Sequence, residues 1–125
     1  MKRYRASWIA VLACAATSAL AHHSFAAFDL TKTRDIQGTL KEFKFTNPHS
    51  WMVVTVTDEK GETAEWTIEG LSPGALAAKG VKRSAFKPGD KIAVTLNPLR
   101  SGENGGSLVS AKLADGSVVT GGPGQ

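Results

Sequence analysis

The sequence predicts an all-β protein, a small five-stranded OB-like Greek-key barrel with one short helix between strands three and four. Three observations carry this. Apolar residues recur at period two in short runs, each run is closed by a glycine, proline or aspartate turn, and only one segment shows both a helix start and a helix stop. The resulting order of three strands, helix and two strands is that of the OB-fold. A β-sandwich satisfies the same spacing, because strand length alone does not fix closure.

The first strand is expected from about Arg34 to Thr46. Ile36, Gly38 and Leu40 share one parity and Phe43 and Phe45 the other, so a bulge is placed near Lys41-Glu42. In the second strand Met52, Val54 and Val56 alternate with Trp51, Val53, Thr55 and Thr57. Asp58 to Gly61 forms the hairpin turn, and Ala64, Trp66 and Ile68 give the apolar side of strand three. Ser72-Pro73 reads as an N-cap with proline at the first helical position, and Gly80 stops a two-turn helix over Pro73 to Lys79. Such a helix is unstable alone and needs a barrel mouth to rest on, through Leu71, Leu76 and Val81. Lys87 to Asp90 is a turn, and Ile92, Val94 and Leu96 point inward from strand four. Ser101 to Gly106 reads as a flexible glycine-rich loop, followed by strand five over about Ser107 to Leu113 and a short return at Val118-Val119.

The ends divide the chain further. Met1 to Arg5 is basic, Trp8 to Ala16 is apolar and Ala19-Leu20-Ala21 is a small-residue cleavage signal, which together describe a secretory signal peptide over residues 1–21. The apolar run is about half the length that a membrane span requires. The expectation is a periplasmic or secreted protein with no membrane span after cleavage, a leader arm over 22–33, the barrel domain over 34–120 and a disordered tail over 121–125. Cys14, the one cysteine, leaves with the leader, so neither a disulfide nor a thiolate ligand remains. Removing Lys2, Arg3 and Arg5 leaves twelve basic residues against eleven acidic ones, and this near-neutral balance argues against a nucleic-acid partner. About 104 residues remain, enough for one modest domain.

The three histidines carry the functional expectation. His22 and His23 directly follow Ala21, and His49 lies in an Asn47-Pro48-His49-Ser50-Trp51 turn. Cleavage after Ala21 makes His22 the first residue. Its free amine has an unperturbed pKa near 8, so a metal displaces the proton at neutral pH, and amine plus ring nitrogen close a chelate. His49 would complete the three-nitrogen arrangement called a histidine brace, with His23 as an alternate or auxiliary ligand. A planar nitrogen set favours Cu(II), with zinc and nickel as further candidates. From His22 to Thr33 the arm reaches at most about 36 to 40 Å, so an arm folded back along strand one and anchored by Phe25 and Phe28 would bring His22 to the turn. Glu69 is expected opposite His49 as a carboxylate behind the imidazole, and Asn47 is expected to cap the turn or fix the ring's tautomer. Trp51, on the outer side of strand two, would shield the ion or stack on a ligand.

The segments His22 to Asp29, Gly38-Thr39-Leu40, Asn47 to Trp51, Gly70 to Pro73 and Lys87 to Asp90 resemble a family of small exported bacterial proteins of unknown function. Its members begin HHSF after the leader and carry an NPH-x-W motif. Phe28 stands where an acid-aromatic pair is common, so the resemblance implies no acidic ligand from the arm. No nucleophile with a base, paired carboxylates or phosphate-cradling loop is present, which argues against an enzyme. The expected function is a metal-binding protein that buffers or delivers its ion, with a periplasmic protein as a further partner. The alternative is a metal-free OB-type module that binds a protein or glycan through Trp51, Thr55, Glu65 and Thr67.

Overall fold

The computed structural model describes residues 26–122. The signal-peptide reading, Phe25 and both N-terminal histidines lie outside these residues. Among the described residues there are six strands: β1 (Arg34–Lys44), β2 (Trp51–Thr57), β3 (Thr63–Glu69), β4 (Lys91–Pro98), β5 (Gly105–Lys112) and β6 (Val118–Thr120). Helix α1 (Pro73–Ala78) and a 3-10 turn (Arg83–Ala85) join β3 to β4. The strands hydrogen-bond in the order β3-β2-β1-β4-β5-β6, and a parallel pairing of β3 with β5 closes five of them into a barrel.

β1 serves two walls of that barrel because it bends. Residues 34–39 pair with β4, residues 39–44 pair with β2, and the β2 ladder slips between Leu40 and Glu42. The bulge thus sits at Lys41, as the parity change predicts. Ile36 and Leu40 before it are buried, and Phe43 and Phe45 after it pack on the same core. Phe43 also stacks on Phe86 with ring centroids 3.8 Å apart. The inward residues of β2 and β3 follow their alternation, with Met52, Val54, Trp66 and Ile68 at most 5% exposed. A second bulge, between Thr95 and Leu96, lies in the β4–β5 ladder.

The β2–β3 turn is held from inside. Asp58 accepts the Lys60 and Glu62 backbone N–H groups on Oδ1, and Gly61 takes the left-handed φ of 81° that the turn requires. In α1, the Ser72 hydroxyl accepts the Ala75 N–H at 3.2 Å, and the helix ends one residue earlier than predicted. Its one fully buried side chain, Leu76, rests on the barrel core.

Two expectations need correcting. Gly105 and Gly106 are not part of a flexible loop but the first two residues of β5, both buried and both in the closing seam. A Cβ on Gly105 would lie 2.7 Å from the Thr67 carbonyl oxygen, and one on Gly106 would lie 2.1 Å from the Asn97 carbonyl oxygen. Glycine is required here because neighbouring strands approach too closely for any side chain, not because the backbone must move. Likewise, the first residues of the predicted disordered tail are held: Gly121 donates its N–H to Val109, and Gly122 is buried.

Candidate functional site

The segment after β1 turns sharply through a cis Asn47–Pro48 peptide and delivers His49 to the rim of the barrel. The turn is fastened on both sides. Thr46 donates its hydroxyl to the His49 carbonyl at 3.1 Å, whereas the Asn47 side chain is exposed and makes no such bond among the described residues. The capping role expected of Asn47 therefore belongs to Thr46, whose shorter side chain reaches a carbonyl three residues on. Ser50 is almost fully buried, and its N–H and hydroxyl both donate to the Leu71 carbonyl, at 3.0 and 2.6 Å. The Gly70 N–H donates back to Ser50 at 2.8 Å. These bonds lock the turn to the chain that leaves β3.

That lock brings His49 and Glu69 together. The His49 Nε2 lies 3.5 Å from the Glu69 Oε1, with the carboxylate side chain 6% exposed and the imidazole 28% exposed. In the ladder, however, Glu69 pairs with Trp51 rather than with His49, and on its other side with Ser107 of β5. The expected contact is made by side chains reaching along the sheet rather than directly across it. Burial pushes the Glu69 carboxyl above its ordinary range, and positive charge on His49 acts in the opposite sense. A buried carboxylate in this position favours any cation held at the imidazole. Trp51 is 37% exposed on the outer side of β2, as its parity predicts. Glu65, further along that face, is ion-paired with Lys41.

The leader arm takes a different path from the one expected. It does not fold back along β1; its residues 26–29 add to the edge of β4 beyond the start of β1. Phe28 is 4% exposed and bridges to Leu99, Asp29 donates to Pro98, and Arg100 donates its backbone N–H to Ala27 and its Nε–H to Ala26. An apolar anchor and three hydrogen bonds hold the arm here. Leu99 in turn donates to Gly105, which pairs with Thr67, so three strand spacings, about 14 Å, separate arm from β3. Running back from Phe28 to Ala26, the arm heads toward Asn104 and the beginning of β3, while His49 lies beyond its end. Position 22 is four residues before Ala26, a reach of at most about 14 Å. The described part of the arm thus runs toward the opposite end of β3 from His49.

Among the described residues no group of three or more histidine, cysteine, aspartate or glutamate side chains converges, so His49 and Glu69 form a pair rather than a complete ligand set. No helix among these residues is long and apolar enough to cross a membrane. The model of the family described as "Family of unknown function (DUF6152)" matches residues 10–109. A comparison with curated proteins finds no match.

Proposed function

Starting from a chain that belongs to the family of unknown function DUF6152, we propose that it is an exported metal-binding protein, with Cu(II) as its ion, that buffers or delivers metal rather than catalysing a reaction. The observation that carries this reading is the His49 imidazole held 3.5 Å from a buried carboxylate whose pKa burial has raised. Bringing a cation to that ring relieves the cost of ionising Glu69. Export and cleavage after Ala21 would supply the second half of the site, with the His22 amine and ring as chelate and His23 as the auxiliary donor. The three nitrogens suit Cu(II) ahead of zinc or nickel.

The docked arm gives the site a thermodynamic character. Copper bound by both His22 and His49 competes with burial of Phe28 and with the hydrogen bonds at Leu99 and Arg100, and so its affinity is reduced by the free energy of undocking. A site weakened in this way releases its ion readily, which fits transfer better than permanent retention. The second reading, a metal-free module recognising a protein or glycan, draws on the exposed ring of Trp51 and on Thr55, Glu65 and Thr67 further along the same two strands.

Electron paramagnetic resonance of the copper-loaded chain beginning at His22 separates these readings. An axial spectrum with nitrogen couplings that changes both in His49→Ala and in a chain with one residue added before His22 supports the brace. A spectrum altered by the extension alone assigns copper to the peptide-like set of His22 and His23. A spectrum altered by neither overturns the metal reading. Phe28→Ala tests the undocking: it should raise copper affinity by about tenfold or more, and an unchanged affinity would show that binding does not require the arm to undock. N-terminal sequencing of exported material tests the cleavage position.

A further inference from the structure

The cations of this barrel are unevenly satisfied. Lys32 pairs with Asp29, Lys41 with Glu65 and Lys44 with Glu42; Arg34 stacks over Trp66, Lys91 donates to Thr39 and Arg100 to Ala26. The side chains of Lys79, Lys82, Arg83 and Lys87 are all exposed and, like those of Lys60 and Lys112, make no ion pair or hydrogen bond among the described residues, although the Lys87 charge acts on Asp115; what sets these four apart is that they are clustered. They fall within residues 79–87, where there is no carboxylate. This leaves eight cations against eleven carboxylates in the remainder of the exported chain, so the stretch is a positive pole on a molecule otherwise negative.

The same stretch borders a cleft of about 460 Å³ whose other wall is β6. Leu113 and Val119 are buried in it, and Val118 stands 60% exposed at its lip. β6 is the end strand of the sheet. Gly121 donates to Val109 and Leu113 donates to Ser117, so alternate residues 117, 119 and 121 bond to β5, and the N–H and C=O groups of Val118 and Thr120 point outward from the edge. Asp90 and Asp115 also border the cleft. The Asp115 carboxylate accepts both the hydroxyl and the backbone N–H of Ser117, which with the charge of Lys87 hold its pKa low, so Asp115 stays ionised and offsets part of the positive charge at Lys87.

We infer that this cleft binds an extended acidic peptide segment of a partner protein, which adds to β6 as a further strand and sets its carboxylates against Lys79, Lys82 and Lys87. The backbone groups of Val118 and Thr120 supply the ladder, the lysines supply the choice of charge, and Val118 supplies the apolar contact. The inference is independent of the copper reading, since it uses neither His49 nor the leader arm.

Nuclear magnetic resonance titration of the 15N-labelled chain from His22 onward tests it, using as probe an end-capped octapeptide of alternating Glu and Thr. Shifts should concentrate at Val118 to Thr120 and at Lys79 to Lys87, and affinity should fall by about tenfold as salt shortens the Debye length from about 14 Å to about 6 Å. Combined Lys79→Gln, Lys82→Gln and Lys87→Gln should weaken binding by about tenfold with core amides unmoved. Val118→Pro, which removes an outward N–H but no bond to β5, should abolish it; where that variant does not fold, the lysine variant decides. Equal binding of a Gln-Thr peptide, shifts confined to β2 and β3, or no shifts at all would overturn the proposal. So would association with phosphatidylglycerol vesicles or self-association by a chain that ignores the peptide.

Discussion

The closing seam and the His49 turn solve opposite problems with the same backbone. At the seam, Gly105 and Gly106 bring β5 against β3 and β4 with no room for a side chain, one rung before Ser107 meets Glu69. At the turn, a carboxylate is buried where burial raises its pKa, beside an imidazole left partly open. The two glycines of the seam serve closure of the barrel. The turn keeps a feature that stability disfavours, and that contrast is the reason for looking there for function.

Substitutions can break or sharpen this contrast. The largest expected effect is Gly106→Ala, whose new methyl would sit 2.1 Å from the Asn97 oxygen. The strands must part to admit it, and chemical denaturation should show a loss of about 3 kcal/mol or more. Ser50→Ala, in the turn, should cost about 1 kcal/mol, because one of two donors to the Leu71 carbonyl is lost while the backbone N–H remains. Ser72→Ala, which removes the helix cap without touching either region, should cost about 1 kcal/mol and leave copper binding unchanged.

The smallest effect has the opposite sign and is the sharpest test. The folded-state pKa of Glu69 is raised, so its contribution to the stability of the metal-free protein is fully present below the ordinary glutamate range and is lost as pH rises through the raised value. Glu69→Gln should remove that loss and be more stable than the native chain near neutral pH, with the advantage vanishing in acid. Asp29 and Asp115, held low by Thr31 and Ser117 respectively, act in the reverse direction in both proteins. Their contribution cancels when the two melting curves are subtracted. A variant less stable than the native chain at neutral pH would mean that the carboxylate is structural and that the turn resembles the seam after all.

The seam also marks the limit of what the sequence reveals. Alternation located β2, β3 and β4, the parity change at Lys41 located the bulge, and Ser72-Pro73 located the helix, because each of these is decided by neighbours within a few residues. Gly105 and Gly106 were misread because glycine serves turns and close strand contacts equally well, and only the partners Thr67 and Asn97 distinguish them. The second bulge inserts Val109 of β5 between the Thr95–Ser110 and Leu96–Leu108 pairs, and its parity break, from Leu108 to Ala111, rests on an alanine and is short enough to pass for one continuous strand. Within the candidate site, the proximity of Glu69 to His49 was legible and its reason was not: register across from Trp51 depends on how Ser50 and Leu71 bond. The arm's preference for the edge of β4 was equally hidden, since nothing near Phe28 in the chain names Leu99 as its neighbour.

The parallel pairing of β3 with β5 has a kinetic consequence. The β2–β3 rungs join through a hairpin, whereas Gly105 meets Thr67 across the helix, the 3-10 turn and β4, and β1 meets β4 across a still longer stretch of chain. Loop-closure entropy therefore falls on these two contacts more heavily than on the β2–β3 hairpin. In refolding from denaturant, hydrogen-exchange protection should reach the β2–β3 hairpin early and the β1–β4 and β3–β5 rungs later, so that an unsealed barrel is the form most exposed to proteases on the way to the native state.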